Sequence, residues 1–200
     1  LFRVLGCLSI FCVSFRFVTA QPTSLVAAYS FNEGSGTTVG DVSGNGNSGT
    51  VASGTWTAGG KYGNALTFNG TSTRVTVPDA NSLDLTGGMT LGAWVYPTAG
   101  GGWRDVVYKG PNDIYFLMGS SDTGAPAVGG TFATPLKGTG NLSLNTWTHL
   151  AGTCDGATLR LYVNGVQVVS RPQTGSIVNS AGSLTIGSDA LYGQYFSGLI

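Results

Sequence analysis

Alternation between apolar and polar positions is clearest in residues 147–171, WTHLAGTCDGATLRLYVNGVQVVSR. Leu159 and Leu161 fall on one face of an extended chain, and the residue between them falls on the other. The dipeptide Asn164-Gly165 follows, which is well suited to a two-residue type I′ hairpin turn. The pattern predicts three antiparallel strands, with one face in a core and the other towards solvent.

Shorter stretches of the same kind predict roughly a dozen strands in all. The other predicted strands are residues 25–32, 65–69, 74–77, 89–96, 105–109, 114–118, 127–133, 142–144, 183–187 and 195–200, with a helical turn or loop at 79–85. Residues 89–96 are apolar on both faces, so we expect Trp94, and likewise Trp147, to lie in the core. Many short strands separated by turn residues predict an all-β sandwich or jelly roll.

Composition agrees with one β domain. The 200 residues include 33 glycines, and charged residues make up only 9 % of the chain. Abundant glycine with 42 % hydrophobic residues is typical of short strands and tight turns. The formal net charge is zero, which argues against a nucleic-acid partner or an anionic membrane surface.

Residues 1–20 have the order of a secretory signal peptide. Arg3 precedes an apolar stretch, and Val18-Thr19-Ala20 forms a small-residue cleavage site before Gln21. Arg16 interrupts the apolar stretch, which argues against a membrane span. We therefore predict a mature domain at residues 21–200 and a location outside the cell or in the cell envelope; a buried strand pair is the alternative interpretation. Cys154 would then have no disulfide partner, and we expect it to be a small buried side chain.

Five stretches in this order resemble the LamG-like jelly-roll domains of the concanavalin A-like lectin/glucanase superfamily, in their bacterial laminin-G-like form. They are LVAAYSFNEGSGTTVGDVSGNGNSGT, ALTFNGTSTRVTVP, MTLGAWVYP, NTWTHLAGTCDGATLRLYVNGVQV and FSGLI. The resemblance covers residues 25–200 and implies a two-sheet antiparallel jelly roll, an exported protein and often a structural calcium ion. Members usually continue with one more strand, so we expect the last strand to be missing from this chain. The fold hosts lectins, adhesion modules and glycosidases, so it implies no single ligand.

A loop near the start of the domain is a candidate calcium site. Asp41, Ser43, Asn45 and Asn47 place oxygen-bearing side chains at alternate positions, and Glu33 is a further candidate ligand. Such spacing lets a tight loop converge on a hard cation that takes several oxygen ligands. The alternative is a loop whose polar side chains cap its own backbone.

The residues needed for catalysis are scarce. A glycosidase on this fold requires two carboxylates on either side of the scissile bond. Glu33 is the single glutamate, and Asp105 and Asp113 are separated by a turn. His149, the single histidine, lies in a strand pattern where a structural role is expected. We therefore expect no enzymatic activity within these residues.

A binding role fits the sequence better. Carbohydrate sites combine exposed aromatic rings with amide and carboxylate groups. Three glycines precede Trp103, which places a large ring on a flexible loop beside a charged pair. The candidate ligand-binding residues are Trp103, Arg104, Asp105, Tyr108, Asp113 and Tyr192. The alternative for Trp103 is that its loop folds back onto the core.

The sequence thus predicts a secreted, non-catalytic module that binds a glycan or cell-surface polysaccharide, with calcium as a structural ion. One alternative is a domain that binds an extracellular protein in cell-surface adhesion. Another is an accessory domain of a glycosidase or polysaccharide lyase whose catalytic part lies outside this chain.

Overall fold

The computed structural model describes residues 24–189 and 191–200, so the predicted signal peptide lies outside the described residues. The strands are β1 (Thr38–Val39), β2 (Gly49–Ala52), β3 (Thr55–Thr57), β4 (Ala65–Asn69), β5 (Arg74–Val77), β6 (Met89–Pro97), β7 (Arg104–Lys109), β8 (Tyr115–Ser120), β9 (Ala127–Gly130), β10 (Ala133–Lys137), β11 (Thr148–Cys154), β12 (Thr158–Val163), β13 (Val166–Pro172), β14 (Leu184–Ile186), β15 (Ser188–Asp189), β16 (Gln194–Tyr195) and β17 (Ser197–Leu199). A 3-10 turn at Asn81–Leu83 confirms the predicted helical turn.

Two sheets form a sandwich, which confirms the predicted all-β class. The ten-stranded sheet has the order β1-β2-β5-β14-β7-β8-β9-β10, with β15 and β16 attached beside β7. The seven-stranded sheet has the order β13-β12-β11-β6-β17-β4-β3. All pairings are antiparallel except the one between β16 and β7. No helix within residues 24–189 and 191–200 is long and apolar enough to cross a membrane.

The strongest sequence pattern produces the predicted hairpins. β11 pairs with β12, and β12 pairs with β13 across the turn at Asn164-Gly165. Both turn residues have positive φ, 52° and 79°, as a type I′ turn requires. Leu159 and Leu161 are fully buried. Turn chemistry and side-chain alternation therefore agree next to the turn, and further along the hairpin the register shifts by one residue between Tyr162 and Leu161.

The core lies between the sheets. It is formed by residues that face inwards from both layers, among them Leu66, Val95, Leu117, Leu150, Leu161 and Ile186. Cys154 belongs to this cluster, as expected, and it forms no disulfide in the described part of the chain.

The expectation that Trp94 and Trp147 lie in the core was wrong. Both rings are only partly buried. In β6 the inward positions are Met89, Leu91 and Val95, so the alternate residue Trp94 lies on the outer face of the seven-stranded sheet. Apolar residues on both faces of a strand therefore did not mean that a second layer covers it.

The predicted first strand at residues 25–32 was also wrong. Tyr29 and Asp41 form a single isolated bridge, and no longer ladder includes this segment. Residues 24–32 instead line one side of a cavity of about 920 Å³, and residues 88–94 line the other. Elsewhere, residues 127–133 divide into β9 and the start of β10, and residues 142–144 are not a strand.

Candidate functional site

An open groove lies at the end of β7 and β14. It is lined by side chains of mixed polarity and has a volume of about 890 Å³. The lining includes Tyr108, Asn112, Ile114, Asn179, Asp189 and Leu191. We call this surface the Tyr108 groove. Its size lies within the range of small-molecule sites, and Asn112 and Asn179 contribute amides to its lining. The Tyr108 and Asp189 side chains of the lining are buried, at 4 % and 1 % exposure.

Of the ligand-binding residues proposed from the sequence, Tyr108 lines the groove, and Asp113 and Tyr192 are each next in sequence to a residue that lines it. The β7–β8 turn brings Asp113 back towards β7, where its backbone N–H donates to the Tyr108 hydroxyl at 3.2 Å. Asn112 and Asp113 have φ values of 65° and 56°, and asparagine and aspartate tolerate this left-handed region better than most residues. Tyr192 follows the groove residue Leu191, and the two side chains are 53 % and 61 % exposed. The groove thus has an exposed aromatic and aliphatic rim.

Asp105 lies within the protein rather than on the groove surface. Its exposed fraction is 0 %, and neither carboxylate oxygen has a hydrogen-bond partner among the described residues. Burial raises the pKa of Asp105 well above its usual range, and the nearby charges of Asp189 and Asp113 raise it further. Asp105 cannot touch a glycan in this conformation, but it lies close to two carboxylates associated with the groove.

The Arg104 side chain takes part in holding loops together. Its Nε donates to the carbonyl oxygen of Gly101 at 3.2 Å, and its Nη1 donates to that of Tyr195 at 3.1 Å. Because the guanidinium already donates to these two backbone carbonyls, we assign Arg104 no direct contact with a ligand.

Trp103 packs against a small cluster on the outer face of the ten-stranded sheet. The cluster consists of Tyr108, Phe116, Met118 and Ala127. The ammonium of Lys137 lies 5.3 Å from the centroid of the Trp103 ring, within cation–π range. The ring is therefore partly buried beside the Tyr108 groove, and Tyr192 is the more exposed aromatic of the two.

The loop proposed for calcium is folded around its own carboxylate. Asp41 Oδ1 accepts from the N–H groups of Ala28 at 3.0 Å and Ser43 at 2.8 Å. Asp41 Oδ2 accepts from the Asn47 N–H at 2.9 Å and the Ser43 hydroxyl at 2.8 Å. Burial alone would raise the pKa of Asp41, but these hydrogen bonds outweigh it and hold the pKa below its usual value.

The remaining side chains of this loop also have protein partners. The Asn45 amide donates to the carbonyl oxygens of Leu25 and Val26. The Glu33 Oε1 atom accepts from the Gly40 N–H at 2.9 Å. With four donors on Asp41, the loop as folded does not fit a cation, because its carboxylate has no lone pair to spare. Calcium binding at this loop stays a prediction that would require the loop to rearrange.

A second aromatic surface lies on the outer face of the seven-stranded sheet. It is centred on Trp94, which the sequence had led us to expect in the core. The ring centroids of Trp94 and His149 are 5.3 Å apart, and those of Trp94 and Tyr62 are 5.8 Å apart. Lys61 Nζ lies 4.8 Å from the Trp94 ring, and Tyr62 is 70 % exposed. The signal that could have found this surface is the alternation in β6, which places Trp94 opposite the buried Val95.

The comparisons with known proteins place the chain in a family. A family model described as the concanavalin A-like lectin/glucanases superfamily matches residues 69–200. The chain belongs to this superfamily. No curated protein matches the chain.

Among solved structures, the chain is similar to domain 4 of AbnA, a GH43 extracellular arabinanase from Geobacillus stearothermophilus, in complex with arabinotriose. The TM-score is 0.68 at 22 % identity, over 87 % of each chain. The binding domain of Paraclostridial Mosquitocidal Protein 1 gives 0.62 at 15 % identity, over 86 % of this chain and 47 % of that one. A Trypanosoma rangeli sialidase gives 0.60 at 22 % identity, over 90 % of this chain and 30 % of that one. The chain thus spans less than half of the last two proteins, and these similarities establish the shared sandwich fold.

Proposed function

We propose that this superfamily member is a secreted, non-catalytic module that binds carbohydrate in the Tyr108 groove. The observation that carries the proposal is the pair Leu191 and Tyr192, whose side chains are 61 % and 53 % exposed. Leu191 lines the groove together with the Asn112 amide. Aromatic and aliphatic faces pack on the C–H surfaces of a sugar ring, and amide groups donate to or accept from its hydroxyls.

A non-catalytic role is supported by the arrangement of acids. The carboxylates near the Tyr108 groove are Asp105, Asp113 and Asp189, and both Asp105 and Asp189 are buried, at 0 % and 1 % exposure. A pair of accessible carboxylates across a bound glycosidic bond is what glycoside hydrolysis requires. The similarity to a domain of an extracellular arabinanase makes an accessory role beside a catalytic domain a natural setting for such a module.

Arabinotriose is the first ligand to test, because the structurally similar arabinanase domain was solved in complex with it. Binding should be measured by calorimetry with arabinotriose and by a glycan array for other sugars. Tyr192→Ala should weaken binding about tenfold, which corresponds to about 1.4 kcal/mol of lost stacking. Trp103→Ala should weaken it less, because that ring is partly buried and packed against its own sheet.

Tyr62→Ala is the matched control, because it removes another highly exposed tyrosine, in the turn between β3 and β4 that packs against Trp94 of the seven-stranded sheet. It should bind as wild type does. If Tyr62→Ala abolishes binding while Tyr192→Ala has no effect, the aromatic surface around Trp94 is the binding site, and the assignment of binding to the Tyr108 groove is wrong. If the array shows no glycan binding and instead an extracellular protein binds, adhesion replaces carbohydrate binding as the function.

A further inference from the structure

Two aromatic pairs lie next to each other on the outer face of the seven-stranded sheet. Trp94 of β6 is opposite His149 of β11, and their ring centroids are 5.3 Å apart. Tyr96 and Trp147 form the second pair, with centroids 5.6 Å apart, at a distance of about 7 Å along the strands from the first. These four rings are half-buried, and Tyr62, which packs edge-on against Trp94, is 70 % exposed. A contiguous aromatic surface of this kind is typical of a binding site.

One cation lies over this surface. Lys61 Nζ is 4.8 Å from the centroid of the Trp94 ring and 5.9 Å from that of Tyr62. Lys61 is exposed, and no ion pair in the described residues involves it. It is also the one charged side chain among the described residues that line the cavity of about 920 Å³, whose lining includes Trp94 and Trp147. The charge of this surface is therefore positive and favours an anionic ligand.

Gly92 leaves an open position beside the aromatic pairs. It lies on the same face of β6 as Trp94, two residues away, and it is exposed. Its pairing with Ala151 is regular and its φ is not positive, so neither a bulge nor a turn requires glycine here. A Cβ would lie 3.6 Å from the carbonyl oxygen of Leu150 and 3.8 Å from His149 Nε2, which are ordinary contacts. Glycine inside a strand often marks a place where a ligand approaches the backbone closely.

We propose that the aromatic surface around Trp94 is a second binding site, which takes an acidic glycan such as an oligosaccharide of uronic acids. A sugar ring lies over Gly92 with its C–H face against the aromatic rings, and its carboxylate pairs with the Lys61 ammonium. His149 Nε2 borders the same position and can form a hydrogen bond with a sugar hydroxyl. The surface consists of the side chains of paired strands and not of free backbone groups, so it suits sugar rings better than an extended acidic peptide.

The proposal is tested by calorimetry with trigalacturonate and with its methyl ester, which keeps the sugar rings and removes the charge. The wild-type chain should bind the acid about fivefold more tightly than the ester, and added salt should reduce this preference. Lys61→Gln should bind both forms equally, whereas Lys61→Arg should keep the preference. Trp94→Ala should weaken the binding of both forms about tenfold. Gly92→Thr should also weaken both, because its side chain would cover the open position.

Lys137→Gln is the matched control, because Lys137 also lies over a tryptophan, Trp103, but on the ten-stranded sheet. It should keep the preference of the wild type, and the Tm of every variant is measured to show that it folds. The proposal is overturned if the wild type binds the acid no better than the ester, or if Lys61→Gln keeps the preference. It is also overturned if hexaglutamate binds and trigalacturonate does not, which would make the surface a protein-binding site.

The two proposed sites can be tested independently. Tyr192→Ala should leave trigalacturonate binding unchanged, and a loss in that variant would place the acidic glycan in the Tyr108 groove and overturn the proposal. Arabinotriose is neutral, so Lys61→Gln should bind it as the wild type does. Failure of the acidic site therefore leaves the proposed function of the Tyr108 groove standing, and failure of arabinotriose to bind does not affect the acidic site.

Discussion

Replacing Asp41 with alanine removes the acceptor of four hydrogen bonds at once. Three of the donors are backbone N–H groups, from Ala28, Ser43 and Asn47, and the last two of these residues are buried. A donor left without a partner costs about 1 kcal/mol or more when water cannot replace the acceptor. We therefore expect Asp41→Ala to lower the free energy of unfolding by about 3 kcal/mol, or Tm by about 6–12 °C for a chain of this length.

Chemical denaturation followed by tryptophan fluorescence, with melting in parallel, measures this loss. Glu33→Ala is the control, because Glu33 is exposed and accepts one N–H, so it should cost about 0.5 kcal/mol or less. Both variants are measured in EDTA, so that calcium plays no part. A loss below about 1 kcal/mol for Asp41→Ala would refute the argument that these hydrogen bonds hold the loop together.

Three further outcomes follow from the core and from the titratable groups. Leu161→Ala should lower the free energy of unfolding by about 2–5 kcal/mol in denaturant melts, because its side chain is fully buried between the sheets. A smaller loss would mean that neighbouring side chains move in and fill the cavity. Gly187→Ala should cost about 2–4 kcal/mol, since Gly187 has a φ of 78° and a Cβ there would meet the Phe68 ring; a Tm equal to wild type would contradict this. In EDTA, lowering the pH from neutral should first stabilise the protein, because the folded-state pKa values of Asp105, Asp113 and Asp189 are raised, and should then destabilise it below about pH 4 as Asp41, whose pKa is lowered, becomes protonated. The first effect should be smaller in Asp105→Asn, and an unchanged effect there would assign it to the other two carboxyl groups.

How much of the fold could be predicted depended on the range of the interactions. The β11–β12–β13 hairpins follow from alternation and from Asn164-Gly165, which act between residues close in sequence. Residues 25–32 alternate in the same way, yet their partners are side chains of the Asp41 loop, such as Asn45 and Asn47, and not a neighbouring strand. Hydrophobic alternation reports which face is buried, and it does not report what supplies the hydrogen bonds.

The candidate site, too, could be predicted only where it depends on residues close in sequence. Tyr108 and Asp113 belong to one hairpin, so their proximity follows from local pairing. Asp189 was missed, because β14 and the Gly187 N–H bring it to β7 from about 80 residues away in sequence. The burial of Asp105 could not be predicted either, because an aspartate beside a glycine-rich loop is normally exposed.

The attachment of residues 25–32 has a consequence for local unfolding. The segment is joined to the sandwich mostly by side chains, among them Asp41, Asn45, Asn47 and Asn64, and by the bridge at Tyr29, without a ladder of backbone bonds. Phe31 is its side chain in the buried core. Because few of its amides belong to a strand ladder, they should exchange with solvent at a lower free energy than those of β11 and β12. Because residues 24–32 line the cavity, access to it would depend on the hydrogen bonds between this segment and the side chains of the Asp41 loop.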